Sequence, residues 1–413
     1  MKDLEILREL ARQYSEFALD GRSSARKKLY RSLNSLKTVR PPVLVFEVPW
    51  GEYSGNPELE PQCTSPEARA LETNLRRAIF QFRHFEGDFA VHDYYRCPIA
   101  VSNSGNGLVC EEDTASASTG TSISAHRYHD TIPDPETFLS KIRTPVVTHD
   151  LAETERRLCF ADDVFSGILP VKKAGVGLYL ASWDQIPRFH GVENCLMDLY
   201  DAPEYAHLMI SRFTDNHIAV MRQYEELNVL DTDPLYLHCT PAATHELPVL
   251  DMDRDKITLK NVWARGMAQI FAVVSPEMHE EFDLQYTQKL FDLCGLSYYG
   301  CCEPLHAKID KLRRFKNLRR ISITAWADVD AAAERIGGDY VLSYKPNPAF
   351  VAHSSFDPEP VRAEIKRVLT ACSRYGTPCE FVLKDISTTS GNYENLTQWV
   401  AAANSVIDGF YPR

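Results

Sequence analysis

Hydrophobic and polar residues follow two different spacings along this chain of 413 residues. Residues 1–37 place Leu, Ala and Tyr at helical spacing among charged residues, and Pro41 and Pro42 end that pattern before an apolar strand at 43–46. Beyond residue 145, helical and strand-like segments alternate with short connections. This alternation predicts parallel strands joined by right-handed helical crossovers.

The pattern predicts individual elements in the C-terminal two thirds of the chain. The predicted helices cover 152–165, 195–199, 204–227, 276–294, 307–312, 329–336, 358–375 and 395–407. The predicted strands cover 169–171, 177–180, 234–238, 297–299, 320–324, 340–343 and 380–383. This many β-α units predicts a (β/α)8 TIM barrel, an α/β fold. An open doubly wound sheet is the alternative, but no G-x-G-x-x-G or P-loop pattern follows a predicted strand.

The first third of the chain differs from the rest. One helix is predicted at 65–84 among turns rich in Gly, Ser and Asn, and the stretch 114–124 is too polar and small to build a core. We interpret residues 1–140 as an N-terminal helical and irregular extension with the first strand and a lid-like insertion. Residues 141–413 are interpreted as the barrel, and the two parts are expected to form one structural unit.

Composition and charge exclude several classes of protein. With 44% hydrophobic residues the chain can bury a large core, and its net charge of -12 argues against a nucleic-acid partner. The first residues are charged, and no stretch of about 18 apolar residues occurs, so we expect a cytoplasmic protein with no membrane association. Eleven cysteines, an odd number, indicate reduced thiols. The sequence leaves a homodimer open.

Polar residues follow several predicted strands, where a barrel places its active site. In chain order they are His238, Cys239, Cys301, Cys302, Glu303, Trp326, Asp328, Lys345, Lys384 and Asp385. We expect them to converge on one mouth, with His238, Lys345 and Asp385 as catalytic candidates. Each also has a structural explanation, such as a small buried thiol for Cys239 or a surface lysine before proline for Lys345.

The segment Gly300-Cys301-Cys302-Glu303-Pro304 combines ligand types that zinc accepts at one strand end. A structural zinc site normally takes two pairs of cysteines spaced as C-x2-4-C, and the chain has no such set. A metal bound here would therefore keep an open catalytic position.

Further residues are candidates for substrate contact because they follow the first strand, lie near strand ends or form a spaced histidine pair. Tryptophans near strand ends indicate an aromatic-walled pocket, although they could equally be large core residues. The histidine pair is spaced to share a helix face but lacks an H-E-x-x-H pattern, so a hydrogen-bonded structural or substrate-contact role is expected. These candidates are Glu47, Trp50, His126, His129, Trp263 and Trp326.

Several motifs along the chain are typical of one known family. They lie at 266–271, 275–282, 299–305, 321–324, 328–330, 345–348 and 394–396, with further features at 47–50 and 126–130. These motifs resemble the uroporphyrinogen decarboxylase superfamily, and more narrowly its branch related to corrinoid-dependent methyltransferases. The resemblance covers roughly residues 140–410 and implies a TIM barrel.

Two departures from the family pattern limit what the resemblance implies. True uroporphyrinogen decarboxylases carry an arginine-bearing N-terminal segment that binds substrate carboxylates, whereas this chain reads Arg40-Pro41-Pro42-Val43. Zinc methyltransferases of the superfamily carry His-x-Cys where this chain has Gly300-Cys301-Cys302, and a later cysteine near the position of Asp385. The hypothetical zinc ligands are Cys302, which the resemblance implies, and Cys301, Glu303 and Cys239, which we add.

The resemblance implies a zinc-dependent methyltransferase that moves a methyl group between a small methoxylated or methylated compound and a corrinoid. Zinc with an open position could polarise a methoxy oxygen or deprotonate a thiol acceptor. The chain has no Asp-x-His-x-x-Gly corrinoid signature, so a separate corrinoid protein is the expected partner.

Two alternatives to this function stay open. One is a metal-free decarboxylase or lyase that acts on a small carboxylic acid through Lys345 and His238, and the other is a non-catalytic ligand-binding barrel.

Overall fold

The computed structural model describes residues 2–116 and 124–411. Residues 117–123, in the stretch interpreted as a lid, lie outside the described residues. The α-helices are α1 (Lys2–Leu19), α2 (Arg22–Asn34), α3 (Pro66–His84), α4 (Pro135–Lys141), α5 (Leu151–Phe165), α6 (Ser182–Gln185), α7 (Pro187–His190), α8 (Val192–Asp201), α9 (Pro203–Glu226), α10 (Pro276–His279), α11 (Gln285–Phe291), α12 (Ile309–Leu312), α13 (Val329–Ile336), α14 (Pro358–Tyr375) and α15 (Glu394–Phe410). The strands are β1 (Val43–Val45), β2 (Tyr95–Pro98), β3 (Val101–Asn103), β4 (Glu112–Ser116), β5 (Ser124–Tyr128), β6 (Val147–His149), β7 (Val171–Ala174), β8 (Leu178–Leu180), β9 (Trp263–Gly266), β10 (Leu296–Tyr299), β11 (Leu318–Thr324), β12 (Val341–Lys345) and β13 (Cys379–Leu383).

A parallel sheet of seven strands forms the centre of this mixed α/β fold, in the order β1-β13-β12-β11-β10-β9-β8. The order runs in one direction through the sequence, unlike the doubly wound sheet, in which it reverses. The first strand lies beside the last, but the edge strands β1 and β8 do not pair with each other. In the part of the chain that the structure describes, the sheet is therefore open rather than the closed eight-stranded barrel that we expected.

The strand predicted at 234–238 does not form, so that prediction is wrong. The segment forms only an isolated bridge between Tyr236 and Pro241, and the Leu237 N–H donates to the Thr240 carbonyl over 2.8 Å. His238 has φ of 55°, a left-handed conformation that interrupts an extended strand. The aromatic ring of Tyr236 packs against the ring of Phe46 instead, with ring centres 5.0 Å apart.

Most of the other predicted helices and strands form with small differences at their ends. The strand predicted at 169–171 is an exception, because β7 begins only at Val171 and pairs with β2 outside the central sheet, and the central strand β9 was not predicted. The strands β10, β12 and β13 are buried at every position, as expected of parallel strands covered on both faces. The helix predicted at 276–294 is divided into α10, a π-helical turn (Glu280–Leu284) and α11. The turn buries the carboxyl group of Asp283, which accepts a hydrogen bond from the Tyr299 hydroxyl over 2.6 Å.

The N-terminal third contributes its own helical layer. Helices α1, α3 and α5 enclose a second apolar cluster, which includes Leu7, Leu75 and Phe165. The segment that carries His126 and His129 is not helical, because β5 pairs with β4 in an antiparallel hairpin. No described helix combines the length and the apolar character that a membrane crossing requires.

Candidate active site

Cys301 and Cys302 lie directly after β10, at the carboxyl end of the sheet. Gly300 makes this placement possible with φ of 99°. A Cβ atom on Gly300 would lie 2.5 Å from Leu305 Cδ1 and 3.1 Å from Ser322 Cβ, so a larger residue would need both conformational strain and repacking. The two sulfur atoms lie 3.5 Å apart. The turn thus presents two adjacent thiols on one side of the chain.

The ammonium group of Lys384 lies between these thiols and a carboxylate. Lys384 follows β13, and its side chain is 1% exposed. Its Nζ lies 3.2 Å from Cys301 Sγ and 3.3 Å from Cys302 Sγ, and 2.8 and 2.9 Å from the two carboxylate oxygens of Asp385. Cys302 Sγ donates to Asp385 Oδ2 over 3.0 Å. A single cation therefore links both sulfur atoms to the carboxylate.

His238 and Glu47 complete the cluster from two other segments. His238 Nε2 lies 3.1 Å from Glu47 Oε1, and Glu47 Oε2 accepts from the Asp385 backbone N–H over 2.9 Å. Glu47, His238 and Asp385 all have left-handed backbones, with φ of 53°, 55° and 56°. Non-glycine residues adopt this conformation at an energetic cost, and such residues concentrate at functional sites. Three strained positions in one cluster support a functional role for it.

The surrounding charges favour a thiolate at this site. The Cys302 thiol, followed by His238 and Lys384, holds the pKa of Cys301 well below that of a free thiol, although burial acts in the opposite direction. The Cys301 sulfur and burial raise the pKa of Cys302. Because Cys302 donates its proton to Asp385, the pair favours one thiolate, on Cys301, and one thiol, on Cys302. A thiolate is the reactive form of cysteine, both as a nucleophile and as a metal ligand.

The other ionisable groups adjust to that thiolate. Hydrogen bonding to Cys301 and then to Glu47 raises the pKa of His238, which favours the imidazolium. Burial acts to lower the pKa of Lys384, but the charges of the neighbouring cysteines and Asp385 raise it. Burial likewise acts to raise the pKa of Glu47, yet His238 and Lys384 lower it to about 2. The protonation state of each group in the cluster thus depends on the charges of its neighbours.

The four hypothetical zinc ligands do not all meet. The Glu303 carboxylate accepts from the backbone N–H groups of Cys301 and Ala268 over 2.9 and 3.4 Å, and its burial raises its pKa to about 7. Cys239 Sγ lies 3.8 Å from the Tyr298 hydroxyl. Within residues 2–116 and 124–411, no three His, Cys, Asp or Glu side chains are grouped so that they could hold a metal ion.

The donor types around Lys384 nevertheless suit zinc, which binds thiolate, imidazole and carboxylate groups. They are those of Cys301, Cys302, His238 and Asp385. As they stand, Cys301, Cys302 and Asp385 contact the lysine ammonium and are not grouped to hold a metal ion. A zinc ion at this position would have to replace that ammonium group.

The remaining candidates lie outside this cluster. Lys345 is buried, and its Nζ donates to the Cys239 carbonyl and to Ser343 Oγ over 3.0 and 2.7 Å. Trp263 begins β9, so it lies at the amino end of the sheet, where its indole N–H donates to the Ala242 carbonyl over 3.0 Å. Trp326 follows β11 and is 69% exposed.

The last three candidates lie in the N-terminal third. Trp50 packs against the ring of Phe80, with ring centres 5.9 Å apart. The hairpin histidines each face an acidic residue of β4: His126 Nδ1 lies 3.0 Å from Glu112, and His129 Nε2 lies 3.0 Å from Asp113. The structure therefore gives all three a local contact outside the cysteine cluster.

Sequence reasoning gave no role to two cations of the site, Lys384 and Arg265. Lys384 follows a predicted strand and is polar, but so is Asp385 beside it, and the sequence pattern alone does not distinguish the two. Arg265 lies within β9, and the Tyr179 ring in β8 covers its guanidinium group, whose Cζ is 4.1 Å from the ring centre. A cation within an otherwise apolar strand pattern was the signal that could have identified Arg265.

Comparisons with known proteins bear on the fold. No family model and no curated protein matches the chain. Among solved structures, the chain is similar to a methyltransferase from Methanosarcina mazei, with a TM-score of 0.50 and 12% identity over 92% of this chain and 97% of that one. At this identity the likeness shows a fold shared along nearly the full length of both chains.

Proposed function

We propose that this protein is a methyl-transfer enzyme whose reactive centre is the Cys301-Cys302 pair. The observation that carries the proposal is the contact of both sulfur atoms with the Lys384 ammonium, at 3.2 and 3.3 Å, at the carboxyl end of a parallel sheet. The fold likeness to a methyltransferase supports this choice of chemistry over other thiolate reactions. The motifs that resemble the uroporphyrinogen decarboxylase superfamily, a family of TIM barrels, point the same way.

Each residue of the cluster has a distinct task in this proposal. Lys384 and His238 hold Cys301 as a thiolate, which can attack a methyl carbon. The new bond is S–C, the bond that breaks joins the methyl carbon to its oxygen, and the electron pair leaves with that oxygen. The His238 imidazolium supplies the proton that the leaving oxygen needs, and Glu47 orients the imidazole from 3.1 Å.

Zinc belongs to a second version of the same proposal. Cys301, Cys302 and His238, with Asp385, would hold the ion, which would supply Lewis-acid activation of a methoxy oxygen or of a thiol acceptor. A separate corrinoid protein would provide or receive the methyl group in either version. In the version without zinc, the S–C bond to Cys301 would break again as the methyl group passes to its acceptor, and the electron pair would return to the sulfur as the thiolate. The small substrate would reach the cluster from the open carboxyl end of the sheet.

Methyl transfer and metal content, measured on one preparation, test the proposal. We expect purified protein to remove the methyl group from methylcobalamin with a small thiol as acceptor, or to methylate cob(I)alamin from a small methoxylated compound. Absorbance of the corrinoid reports both directions. About one zinc per chain, lost in Cys302→Ser, would support the version with zinc. Full activity without metal would support the version in which Lys384 and His238 hold the Cys301 thiolate. Failure in both directions, with and without added zinc, would refute methyl transfer.

A further inference from the structure

Arg265 is the cation of this site that has no anionic partner. Lys384 contacts Asp385 and both thiols, and His238 faces Glu47. In the described part of the chain, no carboxylate lies within ion-pair distance of the Arg265 guanidinium, and its buried Nε has no hydrogen-bond acceptor. The Arg265 side chain as a whole is half-buried, but leaving its buried Nε–H without an acceptor is costly, so a ligand that accepts from this group would be favourable.

The neighbours of Arg265 hold it in a defined orientation. The guanidinium lies over the Tyr179 ring, with Cζ 4.1 Å from the ring centre. The Tyr179 hydroxyl in turn donates to Asp184 Oδ2 over 3.2 Å, and Asp184 also accepts from the Gln269 side chain over 2.7 Å. A guanidinium stacked on a ring keeps its in-plane N–H groups free, and these form the fork that fits a carboxylate.

Arg265 also belongs to the same mouth as the thiols. The strand register places it between Tyr179 of β8 and Tyr298 of β10. Met267, two residues later, packs in one cluster with Cys301 and Cys302. A ligand held by Arg265 would therefore lie beside the reactive sulfur.

We propose that Arg265, oriented by Tyr179, binds a carboxylate of the substrate, so that the compound that exchanges its methyl group here is a small organic acid. This inference rests on the proposed function and specifies its substrate class. A carboxylate fits better than a phosphate dianion, because Glu47 and Asp385 line the same mouth and would repel a second negative charge.

Paired alkylating reagents test this inference without any methyl transfer. Iodoacetate and iodoacetamide both react when a thiolate attacks their CH2 carbon and iodide leaves, but only iodoacetate carries a carboxylate. Mass spectrometry of the peptide with Cys301 and Cys302 gives the ratio of the two rates, and exposed Cys159 gives a reference ratio in the same sample. We expect Arg265→Gln to lower the ratio of the iodoacetate rate to the iodoacetamide rate at Cys301 and Cys302 roughly fivefold or more, because one positive charge near the reagent is lost.

Controls separate this effect from general changes. Arg254→Gln removes a cation whose side chain is 84% exposed and should leave both ratios unchanged. If Arg265→Gln also alters the iodoacetamide rate, a protection experiment on the wild-type protein tests the inference instead. In that experiment methoxyacetate should protect the thiols from iodoacetamide, and uncharged methoxyacetamide should not. An unchanged ratio in Arg265→Gln, or equal protection by acid and amide, would overturn the inference. Charge preference without methyl transfer would instead refute only the proposed function.

Discussion

At the residue scale, the site depends on a few backbone conformations that residue types alone do not reveal. The sequence placed Glu47, His238, Cys301, Cys302 and Asp385 after predicted strands, and the structure brings these five together. It could not show which of several polar neighbours would turn inward, because that depends on left-handed backbones at three of these positions. The same reasoning named Glu303 and Cys239 as hypothetical zinc ligands beside Cys301 and Cys302. In the structure, the Glu303 carboxylate contacts a backbone amide and the Cys239 sulfur contacts a tyrosine hydroxyl.

The first prediction concerns the thiolate and its dependence on pH. At pH values below its pKa, a free thiol reacts with iodoacetamide about tenfold faster for each unit by which the pH rises, because its thiolate fraction rises. Since its neighbours hold the pKa of Cys301 low, the rate at the Cys301-Cys302 peptide should change by less than about twofold between pH 6 and pH 8. Mass spectrometry of alkylated peptides measures this rate.

Removal of the lysine should restore an ordinary profile. Lys384→Met takes away a cation that favours the thiolate, so the rate should rise with pH across the same range. Lys366→Met, on the exposed side of α14, is the matched control and should keep the flat profile. A steep profile in the wild-type protein would show that Cys301 is an ordinary thiol.

At the element scale, the strands β10 to β13 were easier to predict than β9, which was missed, or the segment 234–238, which was predicted as a strand and does not form one. The apolar runs of β10, β11, β12 and β13 are buried on both faces, so their hydrophobic pattern indicates strands directly. The segment 234–238 has a similar composition, but its left-handed turn at His238 cannot be read from that composition. The π-helical turn at Glu280–Leu284 was missed for a related reason, since its helical periodicity differs little from that of an α-helix.

The second prediction concerns a buried ion pair that joins β11 to β13. Arg320 and Glu380 pair with fully buried side chains, and Glu380 also accepts from Thr240 and Ser343. Glu380→Gln keeps the side-chain shape but leaves the Arg320 charge without its partner. We expect the free energy of unfolding to fall by about 3 kcal/mol or more, as measured by urea denaturation.

An exposed pair provides the comparison for this variant. Glu359 and Arg362 form an ion pair on the surface of α14, with side chains 72% and 45% exposed. Glu359→Gln should change the free energy of unfolding by less than about 1 kcal/mol. Similar losses in the two variants would mean that the buried pair does not hold the strands together.

At the scale of the whole molecule, the fold class was predictable and the closure of the sheet was not. Serial alternation of strands and helices correctly indicated an α/β fold with parallel strands, and the sheet order follows the chain without reversal. The sheet is not closed, because its edge strands β1 and β8 do not pair with each other. The likeness to a Methanosarcina mazei methyltransferase at 12% identity shows that such a fold tolerates almost complete replacement of its residues. Function must therefore be argued from the site.

The most direct measurement is the rate of methyl transfer in three proteins assayed together: wild type, Cys301→Ser and Cys372→Ser. Cys301 lies in the cluster, whereas Cys372 is a buried thiol of α14. A serine hydroxyl is not ionised at neutral pH, so Cys301→Ser should lower the rate by about a hundredfold or more, and Cys372→Ser should keep the wild-type rate. Methyl transfer at the wild-type rate in folded Cys301→Ser would contradict the assignment of this cluster as the reactive centre.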